Sequence, residues 1–218
     1  MLSVESTKSS KFEICRRCGA LCCRFGSVNG VPVTLFDLVR FCLFLCVDPD
    51  FLFRTFVYIV STSEAVARLS EWYGFEFPEP AEPFVIRGRR KPDGSCIFLR
   101  SDYSCMIEPA KPITCKVYPI KLFPDVQVLA DATCLLAQHP ELLEEEYKLY
   151  PYYERELTLN HVILSKLLKN VEDFAEAMNR IIMAVETLLR SGLIESHDDY
   201  TVSGRVTLPE ILRLLNLE

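Results

Sequence analysis

Several familiar chemistries are missing from this 218-residue sequence, and each absence removes a class of function. There is no Gly-x-Gly-x-x-Gly, no Gly-Lys-Ser/Thr phosphate loop, no His-Glu-x-x-His and no Gly-x-Ser-x-Gly. The signatures of dinucleotide binding, P-loop phosphate chemistry, helical zinc proteases and α/β-hydrolases are therefore not present. Histidine is scarce: His139, His161 and His197 lie scattered in the second half. His161, near a helix start, fits a surface or packing residue better than a ligand. No apolar run approaches the roughly 20 residues a spanning helix needs. The longest, Phe41 to Val47, is bounded by Arg40, Asp48, Asp50 and Arg54. Residues Met1 to Lys8 show no basic segment leading into an apolar one, so no secretory leader is read there. The expectation is a soluble, cytoplasmic chain with no membrane partner.

Cysteine, in contrast, is abundant. Eight of ten cysteines fall into two groups. The first is Cys15-Arg16-Arg17-Cys18-Gly19-Ala20-Leu21-Cys22-Cys23, and the second spreads Cys96, Cys105, Cys115 and Cys134 over a stretch punctuated by Pro and Gly. Thiolates two or three residues apart in a turn can converge on one ion, and four sulfurs suit zinc or an iron–sulfur centre. Gly19 allows the backbone to fold tightly beside a ligated sulfur. The rival is a disulfide framework, which an even cysteine count also permits. A chain of this length can bury a core without staples, and neighbouring Cys22 and Cys23 pair poorly with each other. Metal ligation is the favoured reading.

Charge is divided unevenly. Residues 1–121 carry 16 Lys or Arg against 13 Asp or Glu, and residues 122–218 carry 8 against 17. Arg16, Arg17 and Arg24 flank the first cysteine group, while Arg87, Arg89, Arg90 and Lys91 precede Cys96. Such cations lower thiol pKa and could meet an anionic ligand; the plainer alternative is a solvated basic loop.

Along the chain, Thr34 is the expected N-cap of a helix with Asp37 at N3. Asp48-Pro49 starts a second helix, to about Val60, and Ser63-Glu64 a third, ending at Gly74. Cys42 and Cys46 share a helical face and are expected to pack in the core rather than ligate. Prolines 78, 80, 83 and 92 suppress helix. Phe84 to Ile86, Cys96 to Leu99 and Val126 to Leu129 are β-prone, with Tyr103 to Ile107 pairing back through Arg100-Ser101-Asp102. From Pro140 the pattern is helical: Pro140 to Tyr150, Leu157 to Leu168, Val171 to Arg190 with Gly192 at C′, and Leu208 to Leu217. Tyr147, Tyr150, Tyr152 and Tyr153 around Pro151 are expected to pack together. No internal repeat is evident.

Taken in order, Cys15-x-x-Cys18-Gly19-x-x-Cys22-Cys23, Cys96-x-Phe98-Leu99, Cys105-x-Ile107, Lys111-Pro112-x-x-Cys115-Lys116 and Tyr118-Pro119 resemble the YkgJ-type cysteine-cluster family, a zinc- or iron-chelating domain. The resemblance covers roughly residues 12–134. The chain departs from the family pattern by one extra residue before Cys22-Cys23, by Glu108 in place of an aromatic, and by Lys111 and Lys116 in place of arginines. Lysine keeps the charge but loses the planar fork. Some relatives are flagellin lysine methylases, so the resemblance implies metal binding with a redox or methyl-transfer-associated role.

The expectation is an α+β fold with a small cysteine-rich metal-binding domain of short strands and helices over 1–135, and an acidic helical region over 136–218. The expected metal ligands are Cys15, Cys18, Cys22, Cys23, Cys96, Cys105, Cys115 and Cys134, holding zinc or a [4Fe–4S] cluster. Arg17, Lys111 and Lys116 are expected to line a partly open pocket for an anionic small molecule or a protein partner; nucleic acid is not expected. Whether the chain is an enzyme stays open, the rival being an interaction module with a purely structural metal.

Overall fold

The computed structural model describes residues 11–25, 30–73, 84–121, 129–130 and 134–218. It is an α+β structure in which helices dominate. In chain order it contains α1 (Lys11–Arg17), α2 (Leu21–Phe25), α3 (Leu35–Leu45), α4 (Pro49–Thr55), β1 (Val57–Ser61), α5 (Thr62–Tyr73) and β2 (Phe84–Gly88). There follow α6 (Ile113–Val117), β3 (Ile120–Lys121), β4 (Leu129–Ala130), α7 (Glu144–Leu167), α8 (Phe174–Ser191), α9 (Val202–Arg205) and α10 (Leu208–Leu214). No helix among the described residues is long and apolar enough to cross a membrane.

α3 is the central element. Its N-terminus closes as a capping box: the Asp37 amide donates to Thr34 Oγ1 at 2.9 Å, and the Thr34 amide to Asp37 Oδ2 at 3.0 Å. Every residue from Leu35 to Cys42 is buried, as befits a helix that is apolar almost all round. α8 packs against it through Ala177, Ile181, Ala184, Val185 and Leu188, and α7 adds Leu159, Ile163 and Leu164. One apolar cluster thus runs from Val33 through Phe98 and Ile107 to Leu212, joining residues of the cysteine-bearing half to those of the acidic helical half.

β1 and β2 form an antiparallel pair with Ile59 opposite Ile86, burying Val57, Ile59, Phe84 and Ile86 on one face. The expected helix to Val60 instead stops at Thr55, because the β-branched run Val57, Ile59, Val60 favours strand over helix. The two helical segments expected on either side of Pro151 are one helix, α7. Pro151 is exposed and costs about 3 kcal/mol, which the burial of Tyr153, Leu159 and Ile163 on the same helix offsets. Tyr153 is buried, but Tyr147 and Tyr152 are exposed, so the expected tyrosine cluster reduces to one core residue. Residues 126–128 of the expected strand and the proline-rich stretch through Pro83 lie outside the described residues.

A buried ionic node ties these elements together. The side chains of Asp37, Arg40 and Glu156 are fully shielded from solvent. Arg40 donates to Asp37 Oδ1 at 3.1 Å and to Glu156 at 2.9 and 2.5 Å, and its Nε donates to the Asp199 carbonyl at 2.9 Å. The Thr34 hydroxyl donates to Glu156 at 3.1 Å, and the guanidinium carbon lies 4.3 Å from the centre of the Tyr200 ring. Two carboxylates share one guanidinium. Burial, reinforced by Glu156 and opposed by Arg40, pushes Asp37 up to about 6.

Arg40→Met is expected to lower stability by about 3–5 kcal/mol, because it strands two buried carboxylates; urea unfolding measures this, and a loss below about 1 kcal/mol would refute the node. The pH dependence has a definite sign. Folding raises the Asp37 pKa from about 3.9 to about 6, so its contribution is present below the unfolded value and lost as pH rises through 6. The stability gap between wild type and Asp37→Asn is expected to narrow from pH 4 to pH 7. A constant gap would show that Asp37 titrates normally.

Candidate metal centre

Each of the eight clustered cysteines is held by a specific local device. α1 presents Cys15, and the chain then reverses through Gly19 and Ala20, both in the left-handed region at φ +68° and +49°. The Ala20 amide donates to the Cys15 carbonyl at 3.0 Å, and the Cys18 thiol donates to the same carbonyl at 3.1 Å. α2 then presents Cys22 and Cys23, with their sulfurs 4.0 Å apart.

The second group is built from a structural repeat. In Asp93-Gly94-Ser95-Cys96, Asp93 Oδ1 accepts from the Ser95 amide and hydroxyl at 2.9 and 2.7 Å. In Asp102-Tyr103-Ser104-Cys105, Asp102 Oδ1 accepts from the Ser104 amide and hydroxyl at 3.1 and 2.6 Å. Gly94 and Tyr103 are both left-handed, at φ +80° and +64°. The surrounding backbone bonds recur nine residues on: Lys91 to Ser95 becomes Arg100 to Ser104, and Ile97 to Arg89 becomes Met106 to Phe98. Each loop presents one cysteine immediately after a buried serine. The pairing expected between Cys96–Leu99 and Tyr103–Ile107 reduces to one antiparallel bridge, Leu99–Cys105, which closes the second loop as Arg90–Cys96 closes the first. The sequence signal was available, since Asp-x-Ser-Cys occurs twice at a spacing of nine.

Cys115 lies on α6, one residue before Lys116. Cys134 starts the tight turn Leu135–Gln138, whose Leu136 packs on Ile14 of α1. Contacts between four residue pairs draw these segments together. The Cys96 amide donates to the Cys23 carbonyl at 2.8 Å, joining the two cysteine groups directly. Arg16 donates to the Asp102 carbonyl at 3.2 Å and forms an ion pair with its carboxylate at 3.7 Å. Lys11 donates to the Lys116 carbonyl at 3.1 Å, and Lys91 donates to the Leu99 carbonyl between the repeated loops.

All ten cysteines are free thiols, and Cys22 is exposed. The clustered thiols sense one another's charge within and across the two groups: Cys115 is affected by Cys96, Cys22 and Cys105, Cys134 by Cys22 and Cys18, and Cys15 by Cys22 and Cys18. Burial dominates, pushing Cys15 and Cys105 up to about 11 and Cys115 well above its ordinary value. Cys22 is the exception: its hydrogen bond with Cys23 brings it down to about 7, while that same bond and burial push Cys23 up. Among the described residues, no three or more His, Cys, Asp or Glu side chains stand at metal-holding spacing.

The cations facing the sulfurs are some of those singled out by sequence, with Lys11 added. Lys111 acts on Cys15, Cys22, Cys105 and Cys115, while Arg90 and Lys91 act on Cys96 and Lys11 acts on Cys15. Arg17 is exposed, and Lys116 Nζ lies 4.9 Å from the centre of the Tyr200 ring. Of the three cations expected to line the site, the structure brings Lys111 among the thiols. The histidines are engaged elsewhere: His139 with Glu141 at 3.2 Å and His197 edge-on to Phe44 at 5.1 Å, while His161 is exposed.

Cys42 and Cys46 stand apart from this arrangement. Cys42 is buried in the α3 core, where burial pushes its thiol up to about 12. Cys46 was expected on the same buried face, but it is the left-handed C-cap of α3 at φ +54° and is exposed. Leaving the helix turns its side chain off the core. Cys42→Ser is expected to cost about 1–3 kcal/mol, and Cys46→Ser to stay within about 0.5 kcal/mol, by chemical denaturation. Equal costs would contradict this placement.

No protein-family model matches the chain, and no curated protein or solved structure is significantly similar to it.

Proposed function

We propose that the chain is a metal-binding protein in which thiolates from Cys15, Cys18, Cys22, Cys23, Cys96, Cys105, Cys115 and Cys134 hold zinc or a [4Fe–4S] cluster. The observation that carries this reading is the bond from the Cys96 amide to the Cys23 carbonyl, at 2.8 Å, which brings two distant groups of free thiols into one electrostatic neighbourhood. The donor set fits soft metals. It is all sulfur, and the nearby carboxylate of Glu108 is engaged with Lys111 at 2.6 Å. Thiolate formation in such a buried group needs compensating positive charge, which a metal ion supplies most effectively. Bound zinc would supply fold-stabilising coordination or Lewis acidity, and an iron–sulfur cluster one-electron transfer.

The chain's own residues divide the remaining work. On this reading the Gly19–Ala20 reversal and the repeated Asp-Ser loops would fix the backbone that carries the ligands, while Lys111, Arg90 and Lys91 would offset their charge. The resemblance to the cysteine-cluster family supports the same reading and extends it to a redox or methyl-transfer-associated role. Cys22 is exposed, so an anionic small molecule or a protein could reach the centre at that edge. The rival, a structural metal in an interaction module, requires a centre closed to such ligands.

Anaerobically purified protein is expected to contain stoichiometric zinc or iron. Iron would accompany acid-labile sulfide and a broad visible absorption; zinc would leave the protein colourless. Cys115→Ser should lower the metal content and Cys42→Ser should not. Metal-free wild type, or equal loss in both variants, would contradict the proposal.

A further inference from the structure

Residues 11–25, which carry the first cysteine group, are seated differently from the second group. Among the described residues, their buried apolar side chains are Ile14 and Ala20. Ile14 packs with Leu136 and Leu143 in a small cluster of its own, apart from the main apolar cluster that holds Phe98 and Ile107. Polar contacts join this segment to the second group. Lys11 donates to the Lys116 carbonyl at 3.1 Å, and Arg16 meets the Asp102 carbonyl at 3.2 Å and its carboxylate at 3.7 Å. The Arg24 guanidinium carbon stands 5.7 Å from the centre of the Tyr103 ring, and the Cys23 carbonyl accepts from the Cys96 amide at 2.8 Å. The Arg16 and Asp102 side chains are 46% and 48% exposed, so dissolved salt screens them.

The Cys96 amide records whether this segment is in place. On either side of it the first repeated loop is closed by its own bonds, Lys91 to Ser95 at 2.8 Å and Ile97 to Arg89 at 3.0 Å. The amide between them therefore points out of the loop and finds its acceptor on Cys23. The equivalent amide nine residues on, that of Cys105, has no acceptor among the described residues.

We infer that residues 11–25 form a clamp that closes on the second cysteine group through charge and opens as a unit while the helical core stays folded. Opening parts Cys15, Cys18, Cys22 and Cys23 from Cys96, Cys105 and Cys115, so that ionic strength sets access to the thiols. Segments with few buried apolar contacts and exposed hydrogen bonds open at far lower cost than the whole fold. The clamp is independent of the metal-binding reading, since each contact that closes it is between protein groups. A metal bound across both groups would hold it shut.

The test is hydrogen exchange of single amides, followed by NMR on the full-length protein as purified and again with a chelator present. Sodium chloride is raised from about 0.1 M to about 1 M, over which the screening length falls from about 10 Å to about 3 Å. Cys105, lacking an acceptor, corrects for the effect of salt on exchange itself. Cys96 is expected to exchange about two- to fivefold faster at high salt, the range an exposed ion pair accounts for, while Ile97 is unchanged. Arg16→Gln should bring the same acceleration at low salt. This response in either state supports the clamp; if it appears only after chelation, it also shows a metal bridging the two groups. Acceleration of Ile97 alongside Cys96 would mean that the loop itself melts, and would overturn the inference. A Cys96 rate unmoved by salt in both states, or unmoved by Arg16→Gln, would overturn it as well, without touching the metal-binding reading.

Discussion

Arg40 is a guanidinium buried at the centre of the molecule, and its charge must be met there. Glu156 on α7 meets it from one side and Asp37 on α3 from the other, while the Asp199 carbonyl and the Tyr200 ring complete its surroundings. An unpaired charge in that place would cost several kcal/mol, so these segments cannot separate independently. Apolar packing between α3 and α8 supplies favourable burial, but apolar contacts tolerate sliding. Charged hydrogen bonds do not, and the node sets the register between α3, α7 and the segment carrying Tyr200.

That register reaches the cysteines. Asp37 holds the Ile113 amide at the start of α6, and Tyr200 holds the Lys111 carbonyl, so the segment from Lys111 to Cys115 hangs from the same node. Phe98, between the two repeated cysteine loops, packs edge-on to Phe41 of α3 at 5.4 Å and stacks on Phe56. The thiol-bearing loops place Phe98 and Ile107 in the same apolar cluster as α3. They borrow rigidity from the helical scaffold, a division of labour in which packed elements position loops that carry chemistry. Through Glu156 and Tyr200 the acidic C-terminal half thus helps to fix the segment that carries Cys115.

Local rules made part of this legible in the sequence. Thr34 and Asp37 cap α3, Asp48 and Pro49 start α4, and Gly192 ends α8 in the left-handed region. Each depends on residues within one turn of the chain. The misreadings arise where distant contacts or neighbouring pattern prevailed: α7 continues through Pro151 because its buried face holds it, and β1 replaces a helical turn because it has β2 to pair with. The partnership of Arg40 with Glu156, 116 residues apart, had no sequence signal. The cysteine groups stood out, and Arg90, Lys91 and Lys111 were among the cations that stood out beside them. Arg17 adjoins a cysteine in sequence and is exposed, and Lys116 lies over the Tyr200 ring, whereas Arg90, six residues before Cys96, is brought beside it by the bridge between them. The paired Asp-x-Ser-Cys loops could have been found by comparing the chain with itself at a spacing of nine.

The central claim is that these thiols from distant segments converge on one all-sulfur metal environment. X-ray absorption at the edge of the metal carried by purified protein tests it most directly. The account predicts a first shell of sulfur alone, at about 2.3 Å for zinc or iron bound by thiolates. A first shell dominated by nitrogen or oxygen would mean that the metal sits elsewhere and would contradict the account.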